Sequence, residues 1–447
     1  MNKSNSLLEK MRQDALHIFN QSLIAVDPKT CIYRCCRLEG NRLYVNDHSF
    51  DLDAYDQIRV IGAGKAAASM AYAVEQLLGD RISRGLVIVK YDHLEPLNTI
   101  KIVEAAHPVP DENGVAGSKQ LLDMARSADE TTLVICLVSG GGSALMVSPA
   151  DGLTLKDKQE TTRVLLSCGA TIHEMNTIRK HLSAIKGGQL ASAVYPATMV
   201  CLILSDVVGD DLDIISSGPA VADPGTFESC MKIIQNYGIE DRLPGAVISH
   251  LKRGAQGLIP ETPKPGDRAL ESVYHTIVAN NFDALKTAEE CAEKLGYNTL
   301  ILSSVIEGET ADIAGMHAAV ARQVLMSGHP IRTPACILSG GETTVTIKGK
   351  GKGGRNQEFA LASAFHIDGK KRIVILSGGT DGSDGPTDAA GAMADHTTIQ
   401  RAVSGGLNPE RHLKENNAYP FFDGLNDLVK TGATNTNVMD VRIMLIR

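Results

Sequence analysis

At 447 residues the chain exceeds what one ordinary core accommodates and predicts two domains. With 43% hydrophobic and 21% charged residues it is globular, and 4% aromatics without a single Trp argue against a base-stacking nucleic-acid binder. A formal net charge of −8 without a basic stripe argues against nucleic acid altogether, so any bound anion must meet a few local cations and backbone N–H groups.

The chain opens with Leu7, Met11, Ala15 and Ile18 at helical spacing, a helix expected to end before Pro28. This start lacks the apolar core of a signal peptide, and no segment reaches the ~18 apolar residues of a membrane span. A cytoplasmic protein with no membrane partner is expected. Nine cysteines are too scattered for a disulfide framework. Cys136, Cys201 and Cys336 sit in apolar runs where a reduced thiol packs as a small hydrophobe, and Cys31, Cys35 and Cys36 lack a C-x-x-C spacing.

From residue 58 short apolar runs at 58–61, 86–89, 133–138 and 199–204 alternate with helical segments near 66–78, 118–125, 156–168 and 176–185. Strand, crossover, strand with burial on both faces predicts a mostly parallel sheet covered by helices. Pro260, Pro263 and Pro265 with Gly254, Gly257 and Gly266 read as a linker over 251–268. A second series follows at 276–279, 299–302, 335–338, 344–347, 373–376 and 441–446. The expectation is an α/β fold of two domains, each a mostly parallel sheet flanked by helices: a Rossmann-like domain over 1–258 and a C-terminal one over 270–447.

Several motifs fall at strand ends, where open parallel sheets bind ligands. Gly62-Ala63-Gly64-Lys65 joins a strand to a helix, so its N–H groups and the helix N-terminus would form an anion site, and a cation there opposes the macrodipole unless an anion meets it. Three strands end in Ser-Gly-Gly: Ser139-Gly140-Gly141-Gly142-Ser143, Ser339-Gly340-Gly341 (followed by Glu342) and Ser377-Gly378-Gly379. Their backbones can approach phosphates or a carboxylate closely. A nucleophilic Ser would need a base and an orienting group that the sequence does not place. The stretch 176–183 reads as a helix N-capped by Asn176 and carrying Arg179, Lys180 and His181, a solvated face with a structural histidine. Asp206 follows an apolar strand, where a carboxylate can take a substrate proton or hold Mg²⁺. Gly354-Arg355 brings a cation to a helix start, suited to a bidentate grip on phosphate or carboxylate. Asp381, in Thr-Asp-Gly-Ser-Asp-Gly, is a second candidate for Mg²⁺.

These motifs, with His107-Pro108-Val109-Pro110, Ser216-Ser217-Gly218-Pro219, Gly-Gly-Glu-Thr-Thr and Gly-Gly-Arg-Asn-Gln-Glu, resemble in order and spacing glycerate 2-kinases of the MOFRL type from about residue 58 to the C-terminus. The resemblance implies ATP- and Mg²⁺-dependent conversion of D-glycerate to 2-phosphoglycerate in an interdomain cleft. It points to Lys65 and Arg355 as essential cations and to Asp206 as a catalytic-site carboxylate. On this reading Gly62, Gly64, Ser139, Gly140, Gly141, Gly142, Ser143, Gly340, Gly341 and Glu342 line the nucleotide and anion pocket. Asp206 and Asp381 serve the metal. A homodimer is compatible with such a chain. The rival enzyme is a nicotinamide-dependent hydroxypyruvate reductase, which needs an acidic residue ~20 positions beyond the glycine turn. That strand ends instead at Val89-Lys90-Tyr91-Asp92. A third reading is a sugar-acid sensor that binds without turnover.

Overall fold

The computed structural model describes residues 3–447. Contacts divide the chain into two compact units, one Cys31–Val278 and the other joining Ala279–Arg447 to the N-terminal stretch that ends at Thr30. Both are α/β. The division differs from the expected 1–258 and 270–447 in two respects, each with a local cause.

The first difference is the opening helix, Lys3–Ala25. Its apolar stripe, Met11, Ala15, Ile18 and Phe19, is fully buried against elements of the C-terminal unit. Arg12 fixes the register by pairing with Asp395 and Asp427. The second is the supposed linker. The helix Gly245–Ala255 runs into it, Asp223 N donates to Pro263 O (2.9 Å), and Glu261 accepts from Phe227 N (2.9 Å). Its prolines therefore shape a packed segment of the first unit rather than a tether.

In the first unit a small antiparallel sheet, β1 (Cys36–Glu39), β2 (Arg42–Val45) and β3 (His48–Asp51), precedes the main one. The main sheet holds β4 (Gln57–Ala63), β5 (Ile82–Lys90), β6 (Ile100–Ala105), β7 (Thr132–Val138), β8 (Thr198–Leu204) and β9 (Val273–Ala279), in the order β6-β5-β4-β7-β8-β9. Pairings from β6 through β8 are parallel, and β7 is buried along its whole length, which is why it reads as an unbroken apolar run. Residues of β4 and β7 pair one to one, so both strands end side by side and their following loops meet.

The second unit carries β10 (Asn298–Ile306), β11 (Ala335–Gly341), β12 (Ile373–Gly379), β13 (Gly391–Asp395), β14 (Leu428–Val429) and β15 (Asp440–Ile446), ordered β10-β11-β15-β12-β13-β14. This sheet is mixed, not mostly parallel. Of its pairings β10–β11 is parallel; the C-terminal strand inserts antiparallel between β11 and β12, and β13 and β14 add antiparallel beyond β12. The run at 344–347 is not a strand; it contributes a single bridge between Thr344 and Glu309.

Candidate active site

The end of β4 leads through Gly64, Lys65 and Ala66 into the helix Ala67–Leu78. The anion site expected from this turn's N–H groups is not what the geometry offers, because those groups are spent inside the unit. Gly64 N donates to Ile88 O (3.1 Å), Lys65 N to Gly140 O (2.8 Å) and Ala66 N to Ser139 Oγ (3.0 Å). The turn is instead a clasp that fixes Lys65 against the loop after β7. Gly62 lies within β4 itself. Gly64 must be glycine twice over: its φ is +145° and a Cβ would stand 2.0 Å from Ser139 Oγ.

The loop after β7, Ser139–Ser143 in sequence, turns at Gly141 (φ +82°) into a short helix, Gly142–Leu145. Among the described residues the N–H groups of Gly140 and Gly141 meet no protein acceptor. These, rather than Gly62 and Gly64, are the backbone donors left for a ligand. A Cβ on Gly141 would stand 3.0 Å from the His107 ring and 3.4 Å from Lys65 Cγ, so the half-buried Lys65 and His107 flank it. Burial, then the charge of Lys65, pulls the His107 pKa down to about 4 and keeps that imidazole neutral at pH 7.

Ser143 gathers the rest of this half. Its Oγ lies 2.7 Å from Arg179 Nη2, 2.9 Å from Lys186 Nζ and 2.8 Å from Ser217 Oγ. Ser217 Oγ donates onward to Asn176 Oδ1 at 3.3 Å. Ser216 and Ser217 both hold left-handed backbone, φ 51° and 63°, a conformation costing about 1–3 kcal/mol per non-glycine residue and persisting where surroundings enforce it. Asp206 stands half-buried just past β8, ahead of this serine turn.

The stretch 176–183 is not a solvated face. The helix runs Ile172–His181 and is capped by a Thr171–Glu174 box, so Asn176 is internal. Lys180 is buried against Asp213 (2.8 Å) and Asp223 (3.4 Å). His181 is a satisfied structural histidine between Thr177 O and Glu261.

In the second unit Arg355 opens the helix Arg355–Ile367. Its charge is met there by protein carboxylates: Nε bonds Asp440 (2.8 and 3.0 Å) and Nη1 bonds Glu342 Oε1 (2.6 Å). Burial works against that guanidinium, but Asp440 and Glu342 hold its pKa above the ordinary value. Asp440 is fully buried and also accepts from Asn356 Nδ2 (2.8 Å) and Arg442 Nη2 (3.0 Å). The Ser-Gly-Gly echoes find their explanation here. Gly340 and Gly341 lie inside β11, and Gly378 and Gly379 inside β12, not in loops beyond them. Asp440 stands opposite Gly341 on one side and Gly379 on the other. Cross-strand neighbours without side chains leave the room in which Arg355, Asn356 and Arg442 reach one carboxylate.

Asp381 Oδ1 accepts from Ser383 N and Oγ within its own turn (3.0 and 3.1 Å). Its neighbour Asp384 has the larger structural task, accepting the N–H groups of Asn356 and Gln357 at the helix start. Burial raises the Asp384 carboxyl to about 6. A carboxyl raised in the folded state stabilises below its unfolded pKa, and that contribution is lost as pH climbs through the folded value. Between pH 4 and 6.5 the wild type should therefore lose stability relative to Asp384→Asn, read as a narrowing gap between their urea midpoints.

Lys158, Lys186, Asp440 and Arg442 were not singled out from the sequence, while His107 and Asp384 fell inside quoted motifs without a role of their own. Isolated charged residues in ordinary surroundings carry no local signal; the available hint was the apolar context of Asp440-Val441-Arg442, where two charges open a buried strand. Among the described residues no cluster of three or more His, Cys, Asp or Glu forms a protein cage for a metal, and no helix is long and apolar enough to cross a membrane.

The model described as "Domain of unknown function (DUF4147)" matches residues 14–252, and the MOFRL family model matches 335–440. A glycerate 2-kinase of Pyrococcus horikoshii is 38% identical, covering 98% of this chain and 97% of its own. A protein of Agrobacterium vitis provisionally named a hydroxypyruvate reductase is 44% identical, covering 87% and 86%. The crystal structure of a glycerate kinase from Thermotoga maritima superposes with a TM-score of 0.88 at 37% identity, over 98% of this chain and 100% of that one.

Proposed function

This chain belongs to the glycerate kinase family, and we propose that it transfers the γ-phosphoryl group of ATP to the C2 hydroxyl of D-glycerate. One observation carries the reading from the residues upward. Basic side chains, Lys65, Arg179 and Lys186, gather around one glycine loop that has backbone N–H groups to spare. Phosphoryl transfer needs positioning and charge neutralisation more than covalent chemistry, and this is the equipment for it.

In the proposed arrangement Lys65 and the N–H groups of Gly140 and Gly141 hold phosphate oxygens. Asp206 orients the acceptor hydroxyl or takes its proton. Arg355 is the second essential cation, aimed by Asp440 and Glu342. The donor set suits Mg²⁺ that arrives on a nucleotide, since such an ion takes one or two carboxylates and fills its remaining positions with phosphate oxygens and water. Asp206 would hold it, with Asp381 the second candidate. Bound there, the ion would neutralise charge on the transferring group.

The reductase name attached to some relatives is not favoured by the residues. A nicotinamide site of the Rossmann kind places an acidic side chain at the end of the second strand. Here β5 ends at Lys90, while Asp92, two residues on, holds left-handed backbone with its N–H bonded to Glu104 Oε1 (2.8 Å).

A coupled assay decides between them. Purified protein with D-glycerate, ATP and Mg²⁺ should release ADP stoichiometrically with 2-phosphoglycerate, while hydroxypyruvate should consume no NADH. NADH oxidation without ADP release would replace the kinase by the reductase.

A further inference from the structure

Arg179, Lys186 and Lys158 converge beneath the glycine loop with no carboxylate among their bonding partners in the described residues. Arg179 and Lys186 both reach Ser143 Oγ, Lys186 Nζ also lies 2.7 Å from Ser143 O, and Lys158 Nζ donates to Leu182 O at 2.8 Å. Lys186 is 1% exposed and Lys158 8%. The nearby acids are engaged elsewhere: Asp213 and Asp223 face Lys180, and Glu261 faces His181.

Such a grouping is unfavourable as structure alone. Desolvating a cation costs several kcal/mol, and buried ionic groups can often be exchanged for apolar ones of similar volume without loss of stability. The strain shows in the protonation equilibria. Burial, and then Arg179, brings Lys158 down to about 7, and burial with both neighbours drives Lys186 well below its ordinary value. An oxyanion set against the cluster would reverse both effects.

The edge of the cluster that keeps some exposure is polar. Ser143 and Arg179 are half-buried, and Ser217, in its left-handed conformation, turns its hydroxyl onto Ser143. We propose, resting on the kinase reading above, that Arg179, Ser143 and Ser217, backed by Lys186 and Lys158, form the seat for the carboxylate of the acceptor acid. Arg179 offers a planar fork that can grip an oxyanion bidentately. Its position on the loop favours a carboxylate over a nucleotide phosphate. Lys65 flanks Gly141, whereas Arg179 and Lys186 meet Ser143 two residues on, so one loop presents separate cations at separate points.

The test uses Arg179→Gln, Arg179→Lys and Lys186→Met in the full chain, each checked by thermal melting. For Arg179→Gln the KM for D-glycerate should rise roughly 10- to 100-fold, the loss expected of a charge-assisted contact, with the KM for ATP essentially unchanged. Arg179→Lys should recover part of that loss. Calorimetric titration with D-glycerate in the absence of nucleotide should weaken in parallel. A rise confined to the KM for ATP would assign the cluster to a nucleotide phosphate and overturn the carboxylate seat. Lowered melting with both KM values unchanged would make the cluster purely structural, overturning it equally. If the wild type releases no ADP with D-glycerate, the kinase reading has failed by itself. Titration with D-lactate and inorganic phosphate then still reads the seat: lactate binding that requires Arg179 supports it, while phosphate-only or Arg179-independent binding removes it.

Discussion

Lys65→Met is expected to lower kcat by about 10²–10³-fold, the usual loss when one preorganised electrostatic donor is removed from a transferring group. The fold should not register the change. The bonds that clasp this turn run from the backbone of Gly64, Lys65 and Ala66, and they survive any side chain at position 65. Steady-state rates with saturating ATP and D-glycerate, beside a circular-dichroism melt, separate catalysis from folding. Full activity in Lys65→Met would mean that the ammonium does not serve the reaction.

Asp440→Ala should be the most destabilising single change in the C-terminal unit. Asp440 receives Arg355, Asn356 and Arg442, and Arg442 is 1% exposed with no other carboxylate bonded to it among the described residues. Removing one partner of a buried ion pair strands the other, at a cost of about 3–5 kcal/mol. Urea unfolding measures it directly. Asp440→Leu combined with Arg442→Met should lose less than Asp440→Ala alone, because the combination leaves neither of those two charges stranded. An Asp440→Ala protein with an unshifted urea midpoint would show that the carboxylate does not organise this site. Arg355→Ala should be milder for stability, since Asp440 keeps Arg442 and Asn356, yet severe for turnover if Arg355 is the second essential cation.

Much of the fold could be read along the chain. β4, β5, β7, β8, β11, β12 and β15 announce themselves because a strand covered on both faces reads as a nearly continuous apolar run, even where a residue such as Arg59 or Arg442 interrupts it. What resisted was pairing. Nothing in the run 441–446 states that it enters its sheet antiparallel, nor does the first helix name the unit it will pack on. The strand depends on partners that end at Gly341 and Gly379, and the helix on elements that follow Val278. β6 and β13 were missed because Lys101 and Glu104 interrupt the one and small residues dilute the other.

For the candidate site the division is similar. Lys65, Asp206 and Arg355 could be proposed from the sequence because strand ends and helix starts are local features, where a charge stands out from what surrounds it. The sequence by itself therefore determined the fold class, the family and the points where charge meets a strand end. Tertiary structure alone decided which charges are answered. It gave Arg355 two carboxylates, spent the N–H groups of Gly64 and Lys65 on the neighbouring loop, and left Arg179, Lys158 and Lys186 together without an acid. Hydrogen bonding and desolvation depend on distances across the fold, and no spacing along the chain encodes them.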